Sequence, residues 1–302
     1  MDYEEPQVTR DQVTIVIPTL NEEEAVDSLI EEARAHGYQK IIVADGYSTD
    51  NTVKIALGLG VEVVMQHGRG KAGALLTAFQ RATTPYVVVM DGDASYDPSD
   101  IDRFLPLLRT YDFVKGVRAR NENMSALHRL GNRIITRIFD LLFGTSLGDV
   151  CSGMYTLRTE MAETLHLEKH PLTVEQEIAA QMVMSSSLVT TVPIGYRKRI
   201  GGISKTNTWR QGFRDLLTNF DLARVYNPIM LFSISAMLAL IPAFGVIAFA
   251  FWSYFALDQF HSGYFLAGLV LLVLGAQGFT VATVATMLRR IERRLSSVSR
   301  QR

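Results

Sequence analysis

Two long stretches without a charged residue lie near the end of this sequence. Residues 229–257 and 263–288 contain no Asp, Glu, Lys or Arg, and each exceeds the roughly 20 apolar residues that cross a bilayer as a helix. Only five residues separate them, so a transmembrane hairpin is favoured over a pair of buried core helices. Pro242 in the first stretch is compatible with a membrane helix, where neighbouring groups satisfy the freed backbone.

The charges that flank the hairpin predict its orientation. The tail 289–302 is basic, whereas the connecting loop contains no Lys or Arg. By the positive-inside rule, we expect an integral protein of the cell membrane with the large N-terminal domain and both termini in the cytoplasm. The first residues are acidic and polar, so we expect no cleaved signal peptide.

The charge balance and the cysteine count limit the partners and the cysteine sites that this chain can have. Thirty Lys and Arg residues balance 31 Asp and Glu residues, and the formal net charge is -1, so the composition does not predict a nucleic-acid partner. Cys151 is the single cysteine. An intramolecular disulfide and a multi-cysteine zinc site are therefore excluded, and a reducing compartment is favoured.

The residues before the hairpin predict an α/β domain. Short apolar, β-branched runs alternate with stretches of helical length, a pattern typical of parallel βαβ units. The first helix is expected to begin at Asn21 as its N-cap, with Glu22 in its first turn, and to end at Gly37. Further helices are predicted over 127–143 and from Val174. The predicted strands are 13–18, 40–44, 61–65, 86–90, 113–117 and 188–192.

Two carboxylates, Asp91 and Asp93, follow the fourth predicted strand. Ligands of open α/β sheets bind at the carboxyl ends of the strands, and Mg²⁺ takes one or two carboxylates while substrate phosphates supply other ligands. An isolated Asp-x-Asp is more often a simple turn. The other motifs of this chain favour a metal site.

Several cationic segments could bind phosphate. The glycine-bearing loop 67–75 contains Lys71 and offers backbone N–H groups, but Ala72 follows the lysine, so it is not a P-loop; a flexible connection is the alternative. Arg129 and Arg133 lie one helical turn apart and could each bind a phosphate, or form a solvated face.

The segment 204–227 carries apolar residues at helical spacing beside arginines, which is typical of an interfacial helix or of packing on the soluble domain.

A set of motifs, in their order and spacing, resembles the family 2 glycosyltransferases of the GT-A fold. Within that family the chain is most similar to the synthases of dolichyl- or polyprenyl-phosphate mannose and glucose, including those of archaeal protein N-glycosylation. The resemblance rests on residues 17–22, 45–50, 68–71, 91–93, 127–133 and 149–153, and on Arg199 with 204–205.

The resemblance implies a role for individual residues. Asp91, Asp93 and Arg118 are implied as catalytic, and the two aspartates are implied to bind Mg²⁺ or Mn²⁺. The implied donor-binding residues are Pro18, Glu22, Asp45, Lys71, Asp91, Arg199 and Lys205. The implied lipid-phosphate-binding residues are Arg118, Arg129, Arg133 and Ser152. Gly46 stands where the family has a second acid after Asp45, which leaves base specificity open.

The resemblance also implies a domain order and a reaction. A GT-A domain with a mostly parallel sheet is expected over 1–203, then an amphipathic segment 204–227, two transmembrane helices within 228–288 and a basic cytoplasmic tail 289–302. The implied reaction is an inverting transfer of a hexose from UDP-glucose or GDP-mannose to dolichyl or polyprenyl phosphate, for protein N-glycosylation or cell-surface glycan assembly.

Two other functions remain open at the level of sequence. A processive polysaccharide synthase shares the GT-A core, but Trp209-Arg210 does not form the Gln-x-x-Arg-Trp motif of such enzymes. A non-catalytic membrane-anchored sensor would bind a nucleotide sugar without transferring it. A homo-oligomer could form through small residues of the hairpin that permit close helix approach, namely Gly263, Gly268, Gly275 and Gly278.

Overall fold

The computed structural model describes residues 7–119, 124–167, 173–185, 187–200 and 208–299. The chain divides into two compact units, Met1–Asn219 and Phe220–Arg302. Lys205 lies outside the described residues, as do the side chains of Trp209 and Arg210. The two units are described separately below.

The first unit is built on a seven-stranded sheet with the order β3-β2-β1-β4-β6-β5-β7. All neighbouring strands are parallel except where β6 pairs antiparallel with β4 and β5. The mostly parallel sheet expected from the sequence is therefore confirmed. The strands are β1 (Val13–Thr19), β2 (Ile41–Asp45), β3 (Glu62–Met65), β4 (Tyr86–Val89), β5 (Phe113–Arg118), β6 (Tyr155–Arg158) and β7 (Val189–Ile194).

Helices follow most of the strands. The apolar side chains of the first helix, such as Leu29 and Ile30, pack with Ile15 and Ile17 of β1 in the main core. The helices of this unit are α1 (Val26–Ala35), α2 (Thr52–Gly58), α3 (Gly70–Phe79), α4 (Ala126–Phe143), α5 (Thr159–Ala162), α6 (Val174–Met184) and the first part of α7 (Thr208–Tyr226). Short 3-10 helices span Arg10–Gln12, Pro98–Arg103 and Leu105–Leu107.

The predicted start of α1 is wrong. Asn21 has a φ of 55°, in the left-handed region, and its side-chain oxygen accepts a hydrogen bond from Thr49 N at 2.7 Å. The three glutamates that follow lie in a turn, and regular helix begins only at Val26. The predicted end is confirmed, since Gly37 follows the last turn with a φ of 85°. The strand β6 was not predicted.

The second unit contains the end of α7 and two long helices, α8 (Pro228–Leu257) and α9 (Ser262–Ser299). Pro228–Leu257 and Ser262–Ala285 are long and apolar enough to cross a membrane, and most of their residues are not buried within the structure. The helices pack closely, because an added Cβ at Gly268 would come 2.5 Å from Ile247 and one at Gly275 equally near Leu240. These two glycines therefore serve packing within the hairpin.

Candidate active site

A cleft of about 1000 Å³ opens at the carboxyl ends of β1, β4 and β5 in the first unit. One end is polar and contains seven of the predicted residues; the other is lined by apolar side chains of α4 and α7. The predicted residues that line it are Pro18, Glu22, Lys71, Asp91, Asp93, Arg118 and Arg199. The sequence motifs that predicted a ligand site thus converge on one cavity.

The Asp91-Gly92-Asp93 turn forms the floor of the polar end. Asp93 Oδ1 accepts hydrogen bonds from Ser95 N at 3.1 Å and Ser95 Oγ at 2.6 Å. These bonds fix one oxygen of Asp93, which exposes 19% of its side chain. Burial raises the pKa of Asp93, and the negative charge of Asp91 raises it further. The two carboxylates of this turn are therefore close enough that the charge of Asp91 disfavours ionisation of Asp93.

Lys71, in the first turn of α3, bridges two acids across the cleft. Its Nζ donates to Asp91 Oδ1 and to Glu175 Oε1 at the start of α6. Burial favours the neutral amine, but the two carboxylates outweigh it and raise the pKa of Lys71 well above its usual value. Lys71 is therefore a cation at neutral pH. Glu175, only 12% exposed, brings α6 next to the Asp91 turn.

Gly153 gives the Asp91 carboxylate its space. A Cβ added at Gly153 would lie 2.6 Å from Asp91 Cγ and 2.8 Å from Oδ1, so only glycine accommodates the carboxyl group there. The Gly153 N–H donates to the hydroxyl of the buried Tyr96 at 2.7 Å, which holds this backbone in place. Two adjacent, partly exposed carboxylates that repel each other fit a divalent cation of the Mg²⁺ type, whose preferred ligands are such oxygens.

The segment 195–200 lies against the same turn. Arg197 N donates to Ser95 O at 2.7 Å and Ile200 N donates to Asp93 O at 3.1 Å. Arg199 Nη2 donates to both carboxylate oxygens of Glu22, at 2.7 and 3.0 Å. This basic segment is thus tied to the Asp93 turn by hydrogen bonds over its described part. Its Arg199 places a positive charge at the polar end of the cleft.

Arg118, at the end of β5, is engaged by a buried acid. Its Nε donates to Asp149 Oδ2 at 2.6 Å and its Nη2 to Asp149 Oδ1 at 2.8 Å. Both side chains are at least nine-tenths buried, and the guanidinium carbon lies 5.2 Å from the centre of the Tyr196 ring. Arg118 still lines the cleft, but much of its charge is balanced by Asp149.

The structure does not bring every predicted residue to the cleft wall. Asp45 is fully buried, and its carboxylate accepts hydrogen bonds from Ser48 and Thr19. Ser152 is also fully buried, with its carbonyl accepting from Lys115 Nζ at 2.7 Å. Arg129 and Arg133 are exposed residues of α4 that are not among the lining residues, whereas their neighbours are. Their binding roles, like that of Lys205, stay predictions.

The cleft also contains polar residues that were not predicted as site residues. They come from the start of α6 and from α7, and their signal in the sequence is weak because a Thr and an acid at a helix start are ordinary capping residues. Only the three-dimensional approach of these helices to the Asp91 turn reveals them. The polar lining residues from these two helices are Thr173, Glu175, Gln176 and Asp215, beside Cys151; Thr19, Gln66, His128 and Asn132 also line the cleft.

A second group of potential metal ligands lies at Glu32, His36 and Asp97. Arg197 donates to both Glu32 oxygens at 2.9 Å and to Asp97. A guanidinium thus neutralises both carboxylates of this group. The Asp91 and Asp93 pair is the better candidate for a divalent ion, because it faces the large cleft.

Comparison with protein families gives a match over residues 14–165 to the family described as "Glycosyl transferase family 2". Glycosyltransferase AglJ of Haloferax volcanii is 35% identical over 74% of this chain and 76% of its own length. A dolichyl-phosphate hexose transferase of the same organism is 30% identical over 65% of this chain and 87% of its own length.

Comparison with solved structures shows the fold. Glucosyl-3-phosphoglycerate synthase from Mycobacterium tuberculosis, crystallised with Mn²⁺, UDP and glucosyl-3-phosphoglycerate, matches with a TM-score of 0.56. The match has 20% sequence identity and covers 72% of this chain and 86% of that one. The same synthase has also been crystallised with Mg²⁺ and UDP. The GT-A fold expected from the sequence is confirmed.

Proposed function

The chain belongs to glycosyl transferase family 2, and we propose that it transfers a hexose from UDP-glucose or GDP-mannose to dolichyl or polyprenyl phosphate. One observation carries the proposal. The same cleft joins the acidic turn and its cations to an apolar wall of α4, where Leu127, Leu130 and Ile134 are each more than 40% exposed. A charged donor and an amphiphilic acceptor can therefore meet in one cavity.

The acceptor needs little activation by the protein. A phosphate monoester has a second pKa near 6, so its oxygen is already anionic at neutral pH and can attack without a general base. The protein must instead overcome the repulsion between two anionic reactants. Lys71 and Arg199 supply positive charge at the polar end of the cleft, and Arg118, which lines the same cleft, would orient the attacking phosphate.

The departing nucleoside diphosphate also requires charge stabilisation. Asp91 and Asp93 would hold Mg²⁺ or Mn²⁺, which when bound acts as a Lewis acid on the diphosphate. Lys71, which also donates to Glu175, would place a positive charge beside the leaving group. A direct displacement at the anomeric carbon inverts its configuration, so an α-linked donor yields a β-linked lipid-phosphate sugar.

The two long apolar helices support a membrane location for this reaction. Pro228–Leu257 and Ser262–Ala285 would anchor the protein where a polyprenyl phosphate resides. The residues after the second helix are basic, and the loop between the helices contains no Lys or Arg. This distribution of charge favours a cytoplasmic catalytic unit at the cell membrane. Nucleotide sugars would then reach the cleft from the cytosol.

The proposal is tested by transfer of labelled sugar to dolichyl phosphate. The full chain in detergent is incubated with UDP-glucose or GDP-mannose and Mg²⁺ or Mn²⁺, with and without chelator. We expect a chloroform-soluble, acid-labile product that requires metal and is lost in Asp93→Asn. Asp102→Asn is the matched control, because Asp102 pairs with Arg10 on the surface. Nucleotide binding without a lipid product would overturn the acceptor assignment.

A further inference from the structure

Two buried side chains at the start of α6 each carry an oxygen that no described residue pairs with, although the Gln176 amide nitrogen donates to Cys151 Sγ at 3.9 Å. Thr173 and Gln176 are each only 2% exposed, and both line the cleft. Among the described residues, Thr173 Oγ1 and Gln176 Oε1 have no hydrogen-bond partner. An unpaired buried polar group costs about 1–3 kcal/mol, so a ligand that pairs with both would recover a cost that the protein otherwise carries.

The unpaired hydroxyl of Thr173 is unusual for its position. A Thr at a helix N-cap normally accepts a hydrogen bond from a backbone N–H of the first turn. Thr173 is the N-cap of α6, yet its side chain makes no such bond. Its backbone carbonyl accepts from Gln176 N and Glu177 N, both at 3.1 Å. The hydroxyl is therefore available to the cleft rather than to the helix.

These two groups flank the residue that links the start of α6 to the Asp91 turn. Glu175 lies between them in sequence, and its carboxylate shares Lys71 with Asp91. The start of α6 is thus one lysine side chain away from the turn that would hold the metal and diphosphate. A hexose on the β-phosphate would lie next to the diphosphate and within reach of this wall.

The chemistry of the wall suits neutral hydroxyl groups. Thr173 offers a hydroxyl and Gln176 a carbonyl oxygen, and neither carries charge. Asp215, also on the cleft wall, has a buried Oδ1 without a hydrogen-bond partner in the described part of the chain. Burial together with the charge of Glu175 raises the pKa of Asp215 to about 7. Glu175 itself is paired with Lys71. Thr173 and Gln176 therefore give the wall uncharged hydrogen-bonding groups, which suit the hydroxyl groups of a pyranose ring, beside the titratable Asp215.

We propose that Thr173 and Gln176 bind hydroxyl groups of the hexose in the nucleotide sugar and thereby determine which hexose the cleft accepts. The inference rests on the proposed function, because it assumes that the donor is a nucleotide sugar. A site built to bond a substrate hydroxyl discriminates strongly against an analogue that lacks it or misplaces it, because buried groups are then left unpaired. The subsite would therefore contribute specificity as well as affinity.

The test compares sugar binding with nucleotide binding. Calorimetry on the full chain in detergent with Mn²⁺ measures the affinities of UDP, UDP-glucose, UDP-galactose, GDP and GDP-mannose. Thr173→Val and Gln176→Met are expected to weaken the preferred nucleotide sugar about 3- to 10-fold each, the value of one neutral hydrogen bond, and to leave the matching nucleoside diphosphate unchanged. Thr173→Ser, which keeps the hydroxyl, is expected to restore the sugar affinity.

Thermal unfolding separates this role from a structural one. Because the Thr173 hydroxyl is unpaired in the ligand-free protein, Thr173→Val is expected to keep or raise the melting temperature. Thr156→Val is the matched control: its buried hydroxyl donates to Val87 O at 2.9 Å, so this variant should melt lower and keep its sugar affinity.

The outcomes distinguish the two proposals. If the wild type binds none of the nucleotides with Mn²⁺, the proposed function is overturned and this inference with it. If the wild type prefers one nucleotide sugar and both variants keep that preference, the sugar subsite alone is overturned. Equal loss of nucleotide and nucleotide-sugar affinity in Thr173→Val would also overturn it, since the residue would then act on the diphosphate or the metal.

Discussion

Gly153→Ala is expected to damage the proposed metal site at Asp91 and Asp93 although it adds a single methyl group. The new Cβ would lie 2.6 Å from Asp91 Cγ, whereas carbon atoms in contact are ordinarily about 3.5–4.0 Å apart. Either the Asp91 carboxyl group or the Gly153 backbone must therefore move by about 1 Å. The backbone is held by the bond from Gly153 N to Tyr96, so most of the displacement falls on Asp91.

The expected size of the effect follows from that displacement. A misplacement of about 1 Å in a reacting group can reduce a rate about 100-fold, and overpacking of a close-packed site typically costs about 1–3 kcal/mol of unfolding free energy. For Gly153→Ala we expect Mn²⁺ affinity to fall about 10- to 100-fold, in the range found when partners of metal ligands are altered.

Titration with Mn²⁺, followed by electron paramagnetic resonance of the free ion, measures this loss on the full chain in detergent. Gly58→Ala is the matched control, because a Cβ at Gly58 has no neighbour within 4 Å and the residue lies at the end of α2. The control should bind Mn²⁺ as the wild type does. A Gly153→Ala protein with wild-type Mn²⁺ affinity would refute the reasoning, because Asp91 would then tolerate the displacement or not bind the ion.

Three further perturbations test the electrostatics of the cleft and its surroundings. Glu175→Gln leaves Lys71 paired with Asp91 alone, so the ammonium competes more strongly with the metal for the Asp91 carboxylate. Mn²⁺ affinity should fall about tenfold in the same titration, which is the value of a charge-assisted hydrogen bond. An unchanged Mn²⁺ affinity would contradict this. Burial lowers the pKa of Lys115 to about 8 from 10.5, so the free energy of unfolding of the wild type should rise with pH between these values. In urea unfolding, the free energy of unfolding of Lys115→Met minus that of the wild type should therefore fall by about 3 kcal/mol from pH 7.5 to 10.5. A difference that does not change with pH would disprove the lowered pKa. Asp149→Asn leaves its buried arginine partner uncompensated and should lower the free energy of unfolding by about 3–5 kcal/mol, whereas a loss below about 1 kcal/mol would show that water already reaches the pair.

The fold was predictable where the hydrophobic pattern has a single interpretation. Strands β1, β2 and β4 are continuous apolar runs, as buried parallel strands require, and the structure has them within a residue or two of the predicted positions. Strand β6 was missed because its four residues, Tyr155–Arg158, include Thr and Arg and are too short to show a period. The start of α1 was misjudged because Asn21 has both capping and left-handed preferences, and contacts with Thr49 decide between them.

The site was predictable only in its local motifs. Asp91 and Asp93 follow a strand and are separated by one residue, so both the sequence and the strand topology indicate that they face a ligand site. Glu175 meets Lys71 across 104 residues of chain, and nothing in either segment specifies that encounter. The burial of Lys115 and its bond to Ser152 likewise depend on tertiary packing. Such pairings require the sheet order, which short-range patterns do not contain.

The reversed direction of β6 has a consequence for how such a site can diversify. Because β6 runs against β4, with Val89 opposite Tyr155, the residues that precede β6 meet the residues that follow β4. The connection 144–154 therefore forms one wall of the Asp91 turn, and β5 holds it in place through the bonds from Arg118 to Asp149 and from Lys115 to Ser152. Substitutions in this connection would therefore alter the surroundings of the Asp91 turn while leaving the strand order untouched, so the two properties can change separately during evolution.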